Sequence, residues 1–185
     1  MRPPKLIKPY VTSFCRSIVT EPQPVYVPVR PLAGAPENEC FSILPRHVAQ
    51  HGGEQVIGWA IWEWPRVYIE AEFHAVWRQP DGELLDPTPK IAPIPRILFL
   101  QDPRRAYNGR QVDNIRKPLD RDPAIKRFCD LSTAMHREQN RGELADYHGP
   151  IVFTETMQRI DRERQELGML LQRRYGRNPP EALTP

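Results

Sequence analysis

Val56-Ile57-Gly58-Trp59-Ala60-Ile61-Trp62-Glu63-Trp64, then Pro65-Arg66, then Val67-Tyr68-Ile69-Glu70-Ala71-Glu72-Phe73-His74-Ala75-Val76-Trp77 is the stretch that sets the fold class. Both runs are rich in β-branched and aromatic residues and are separated by a proline-containing pair, so two antiparallel strands are expected. Alternation in the second run sends Ile69, Ala71, Phe73, Ala75 and Trp77 to one face and Tyr68, Glu70, Glu72, His74 and Val76 to the other. His74 therefore leaves the sheet on its more polar side. Pro80-Asp81-Gly82 signals a tight turn, and Glu83-Leu84-Leu85-Asp86 reads as a short returning strand that brings Asp86 beside His74.

Upstream of this hairpin, a helix is expected from Glu37. Asn38 is its candidate cap; Cys40, Phe41, Ile43, Leu44 and Val48 are its apolar residues, and His51-Gly52-Gly53 is its stop. Pro45 removes one helical hydrogen bond, so the helix either kinks there or begins near Pro45 with Cys40 on the preceding loop. The first arrangement favours thiol chemistry, because unpaired N–H groups and the helix dipole stabilise a thiolate at a helix N-terminus.

The 22 prolines cluster at Pro22 to Pro36, Pro80 to Pro95 and Pro179 to Pro185, marking extended or turning backbone. They divide the chain into an extended N-terminal arm over 1–36, an α+β core over 37–122 and a C-terminal helical extension over 123–185. Within the arm, Val25 to Val29 is an edge strand at best, since proline cannot donate to a ladder. Arg96 to Leu100 reads as another strand, Asp102 to Asp122 as a polar connection. Ala124 to Gln139 and Thr154 to Tyr175 carry apolar stripes at helical spacing. The expected fold is α+β, a helix packed on a small antiparallel sheet with helices following it.

At +3 the net charge is small, and the cations are mostly arginines spread from Arg2 to Arg177, which argues against nucleic acid as a partner. Cys15, Cys40 and Cys129 are odd in number and widely spaced, with no Cys-x-x-Cys pair, the pattern of a reduced chain without a disulfide framework. Prolines break the N-terminus before any apolar run of signal-peptide length, and no segment approaches the ~20 apolar residues of a membrane span. A soluble, cytoplasmic protein is expected.

Cys40, His74 and Asp86 stand in the order of a thiol-nucleophile triad. A thiol is only slightly ionised at neutral pH, and it attacks carbonyls well when an imidazole takes its proton and a carboxylate fixes that imidazole's tautomer. The backbone N–H of Cys40 and the side chain of Asn38 are the candidate oxyanion donors. Trp59, Trp62, Trp64 and Trp77 are expected to be mainly core, with Trp59, Trp62 and Trp77 as candidate walls of a substrate groove. A zinc site built from His47, His51 and either Cys40 or His74 is a weaker alternative. Cys15 and Cys129 have no motif and read as structural.

Glu39-Cys40-Phe41, His74-Ala75-Val76-Trp77 and Leu85-Asp86-Pro87-Thr88 resemble the core of the transglutaminase-like and papain-like cysteine enzymes, over about 50 of the 185 residues. The close spacing is similar to the arylamine acetyltransferase branch. In that family the cysteine opens a helix, the histidine starts a His-Ala-x-Trp run and the acid sits in Asp-Pro-Thr on the next strand. The resemblance implies Cys40 as nucleophile, His74 as base and then acid, and Asp86 as orienting acid, acting on a peptide or a small amide or ester without a cofactor or metal. Glu37-Asn38-Glu39 stands where the family usually has tryptophan or glycine. The rival expectation is an inactive scaffold of the same fold that binds a protein through its groove or through the charged helix 154–175. Tyr175-Gly176-Arg177-Asn178-Pro179 resembles the entry to a small C-terminal zinc-binding tail, but the cysteines of that tail are missing.

Overall fold

A computed structural model of the chain describes residues 1–147, 149 and 151–176. They form an α+β protein with four α-helices and six strands in an antiparallel sheet among the described residues. Contacts divide the chain into two compact units, one holding 1–63 and 71–107, the other 64–70 and 108–176. The core expected over 37–122 is thus divided, because the polar connection after Tyr107 folds with the C-terminal helices.

The first unit contains α1 (Pro9–Arg16), β1 (Val25–Pro28), α2 (Cys40–His51), β4 (Leu84–Leu85), β5 (Arg96–Gln101) and most of β2 (Glu54–Trp64) and β3 (Tyr68–Arg78). Its strands run in the order β1-β5-β2-β3-β4. Val25 faces Phe99 and Pro28 faces Arg96 across β1 and β5; Gly58 faces Gln101 across β2 and β5; Trp77 faces Leu85 across β3 and β4. With β1 at the margin, Pro28 is tolerated where an inner strand would lose a bond.

Two apolar clusters follow the alternation along β3. Ala75 and Trp77 pack with Cys40 and Leu44 of α2, joined by Phe41, Val48, Ile57 and Leu85. Val76 packs instead with Val27, Val56, Ala60, Ile94, Ile97 and Phe99, joined by Trp62 and Leu84. Helix α2 begins at Cys40 and carries Pro45 inside it, preceded by Asn38 in the left-handed region at φ 58°. It is therefore shorter than the helix expected from Glu37, and Asn38 lies outside it with Glu39 at the cap. Gly53, at φ 78°, lets the chain turn from α2 into β2: a Cβ there would lie 2.2 Å from the Arg78 carbonyl oxygen.

The proline-rich stretches lie against each other and use the one backbone group that proline retains, its carbonyl. Asp86 donates its N–H to Pro28 O at 2.9 Å, Leu32 to Pro87 O at 3.0 Å and Asn38 to Pro89 O at 3.0 Å. Arg30 N–H in turn donates to Asp86 O at 3.0 Å. These bonds fix the segment before α2 beside the segment that carries Asp86. The arm expected to be extended over 1–36 includes α1, because Pro9 presets the first helical turn and Val11, Phe14 and Cys15 make an apolar stripe that is buried.

The second unit contains β6 (Ile115–Pro118), which pairs with β3, then α3 (Pro123–Gln139), a single 3₁₀ turn (Gly142–Asp146) and α4 (Glu155–Tyr175). Asp122 caps α3 by accepting Ala124 N–H at 2.9 Å, and Thr154 caps α4 by accepting Met157 N–H at 3.2 Å. Leu131 and Met135 of α3 pack on Met157 and Ile160 of α4. Strand β6 was not expected, since Ile115-Arg116-Lys117-Pro118 has no apolar alternation. Of the zinc-tail resemblance, residues 177–179 lie outside the described residues.

Candidate functional site

Leu84 and Leu85 pair with Arg78 and Trp77, and the chain then runs directly into Asp86, whose carboxylate meets the imidazole of His74. His74 Nε2 lies 2.9 Å from Asp86 Oδ2. Asp86 Oδ1 accepts the Thr88 N–H at 3.0 Å, so both carboxylate oxygens are engaged. The pair is sealed: Asp86 is 0% and His74 3% exposed.

A third group completes the cluster. Lys90 Nζ lies 2.8 Å from the same Asp86 Oδ2 and 3.3 Å from His74 Nε2, and its side chain is only 8% exposed. Sequence reasoning missed this lysine. The available signal was a cation four residues beyond the acid in Asp86-Pro87-Thr88-Pro89-Lys90, in a segment whose prolines keep it close to the sheet.

Burial alone would lower the His74 pKa, but the Asp86 carboxylate overrides it and raises the ring to about 10. Lys90 pulls in the opposite direction, and a charge on Cys40 adds to the rise. Burial would likewise raise Asp86, yet His74 and Lys90 hold it well below the usual carboxylate range. With Nε2–H donated to Asp86, the nitrogen left to exchange a proton is Nδ1.

Cys40 is the first residue of α2 and is 3% exposed. It packs on Ala75, the chain neighbour of His74, together with Leu44 and Trp77. By alternation His74 shares the parity of Val76, whereas α2 packs on the opposite parity. The ring's hydrogen bond is to Asp86, the Lys90 ammonium lies 3.3 Å from the same nitrogen, and Cys40 bears on the ring through charge. Burial pushes the Cys15 thiol up to about 11 and the Cys129 thiol up to about 12.

The remaining predicted residues are spread more widely. Asn38 is tied to Pro89 by its backbone N–H, two residues before Cys40 in sequence and one residue from Lys90 at the other end. Trp59 is fully buried, donates to Asp102 Oδ2 at 3.2 Å and meets Phe73 edge-on, so it belongs to the core and not to a groove wall. Trp62 is half-buried and donates to Glu72 at 2.6 Å. Trp77 donates to Gly52 O at 2.9 Å and packs edge-on against His47. His47 and His51 stack at 4.3 Å, and among the described residues no group of three or more His, Cys, Asp or Glu is placed to hold a metal ion.

Among the described residues no helix is long and apolar enough to cross a membrane. No protein-family model, curated protein or solved structure matches the chain.

Proposed function

We propose that the chain is a cysteine-dependent hydrolase or acyltransferase of the transglutaminase-like and papain-like kind, with Cys40 as nucleophile, His74 as base and acid and Asp86 as orienting carboxylate. The observation that carries this reading is the sealed His74–Asp86 bond through Nε2, which leaves Nδ1 as the nitrogen open to a thiol. With the proton of the Cys40 thiol held on Nδ1 of an imidazolium, the sulfur attacks the carbonyl carbon of an amide or ester. The tetrahedral oxyanion then collapses, the C–N or C–O bond breaks, and the leaving group takes the proton from Nδ1, giving a thioester. Water or an amine next adds to the thioester carbonyl and gives its proton to Nδ1. Departure of the sulfur releases the acid or the new amide. Ser42 and Ile43 give their N–H groups to Glu39 O at 3.1 Å, so the N–H of Cys40 itself is the helix-end donor nearest an oxyanion at its sulfur.

The close burial of Cys40 among Leu44, Ala75 and Trp77 supports a second reading, an inert thiol in a scaffold that binds another protein. Iodoacetamide labelling at pH 7, resolved by peptide mass, separates the two, with Cys15 and Cys129 as internal references. The enzyme reading expects rapid labelling of Cys40 that His74→Ala abolishes, and a thioester mass adduct when a p-nitrophenyl ester is added. An unlabelled Cys40, or one labelled equally fast in His74→Ala, sinks it in favour of the scaffold.

A further inference from the structure

Two donors converge on one oxygen in this site. His74 Nε2 and Lys90 Nζ both point at Asp86 Oδ2, from 2.9 and 2.8 Å, and lie 3.3 Å from each other. A buried ammonium held this way is not a solvated surface charge: its side chain is 8% exposed and its partner carboxylate is closed to solvent. The charged groups acting on the ring are Asp86, from the segment after β4, Lys90, from the proline-rich loop, and Cys40, from the first turn of α2.

Counting charge shows what the lysine changes. A thiolate, an imidazolium and a carboxylate carry one net negative charge, as do the thiol and neutral ring from which they form, so proton transfer between sulfur and nitrogen leaves that total in place. Lys90 brings the set to zero before and after the transfer, where burial penalises any uncompensated charge. The ammonium also opposes the imidazolium through their shared oxygen, which makes the ring a better proton donor than Asp86 alone would allow. Donation by Lys90 to Oδ2 further keeps that oxygen an acceptor for Nε2–H, the tautomer that leaves Nδ1 open.

We propose that Lys90 is a positioning residue of this site: it holds the Asp86 carboxylate and keeps the His74 imidazolium acidic enough to protonate the leaving group. The inference rests on the thiol-enzyme reading of Cys40, His74 and Asp86. Its signature is selective, because an amine leaving group needs the proton from Nδ1 and p-nitrophenolate does not.

The test compares full-length parent protein with Lys90→Met, Lys90→Gln and Lys90→Arg. Lys90→Gln keeps a donor without the charge and serves if the methionine variant does not fold. Imidazole ¹⁵N shifts report the titration of His74, and p-nitroanilide and p-nitrophenyl ester turnover report the chemistry. Loss of the charge is expected to move the His74 titration upward by roughly one unit. It is also expected to lower kcat for the anilide about tenfold with KM held, and to leave the ester rate nearly unchanged. Lys90→Arg restores the parent titration. A His74 titration identical in parent and Lys90→Gln, in a parent whose Cys40 labels rapidly, overturns the role of Lys90 and leaves the triad standing. A parent Cys40 that labels slowly and independently of His74 overturns both.

Discussion

Asp86 in the first unit and Glu163 in the second each face a cation at hydrogen-bond distance, but one carboxylate is sealed from water and the other stands in it. Asp86 takes Lys90 at 2.8 Å and His74 at 2.9 Å with its side chain 0% exposed. Glu163 takes Arg127 through two parallel bonds of 2.6 and 2.7 Å, a better fork, with both side chains well exposed. Good geometry in water gains little, because solvent screens the attraction and the side chains lose freedom. In the closed site the same contacts shift proton affinities, since neither partner can turn to water. Burial, more than geometry, distinguishes a pair able to support chemistry from one that trims a surface.

Replacing Asp86 should give the largest effect and break the comparison most directly. Asp86→Asn keeps the shape and the acceptor for the Thr88 N–H, but strands the Lys90 ammonium in a closed site. Urea unfolding is expected to show a loss of about 3–5 kcal/mol, the usual cost of removing one partner from a buried pair. Ester turnover is expected to fall on the order of 10²–10⁴-fold as His74 loses its orienting partner. A stability matching the parent would place Asp86 with the surface pairs.

The pH dependence of stability sharpens the same contrast. His74 is raised in the folded state, so its contribution is complete below ~6.5 and is lost as pH climbs through about 10. Asp86 is lowered, so its contribution is present above ~3.9 and disappears as pH falls below that. His47 is lowered by burial and by His51, and its Nε2 is buried without a partner, so its neutral form favours folding above ~6.5 and costs stability as pH falls. Melting midpoints from pH 4 to 10.5 should therefore peak near pH 6.5 with losses on both sides. His47→Leu should reduce the loss between pH 6.5 and 5, and His74→Gln the loss between about pH 6.5 and 10. Unchanged limbs in both variants would assign the losses to other groups.

The hairpin was legible because alternation over Val67 to Trp77 and the Pro80-Asp81-Gly82 turn are local signals. They brought Asp86 to His74 without any knowledge of the rest of the chain. The start of α2 was harder to read. Asn38 had the chemistry of a cap, but its backbone is held by Pro89, a partner from a distant segment. Lys90 was invisible for a related reason: its place depends on how a proline-rich loop returns to the sheet, and such loops carry no period. Strand β6 is ordered by pairing with β3 and not by its own apolar residues. The orientation of Cys40 relative to His74 depends on where α2 lies on the sheet, which alternation within β3 alone could not say.

The smallest effect should come from the best-formed fork. Arg127→Ala removes both bonds to Glu163, yet each side chain stands in water and can be solvated when the other is gone. The α3–α4 contact is carried by Leu131, Met135, Met157 and Ile160, none of which the substitution touches. Thermal unfolding of Arg127→Ala should therefore stay close to the parent, and any difference at low ionic strength should shrink as salt is added, since screened surface attraction is all that is lost. A drop comparable to that of Asp86→Asn, persisting at high salt, would mean that Arg127 works through its apolar stem against the helices. The contrast between the two carboxylates would then have to be redrawn in terms of packing.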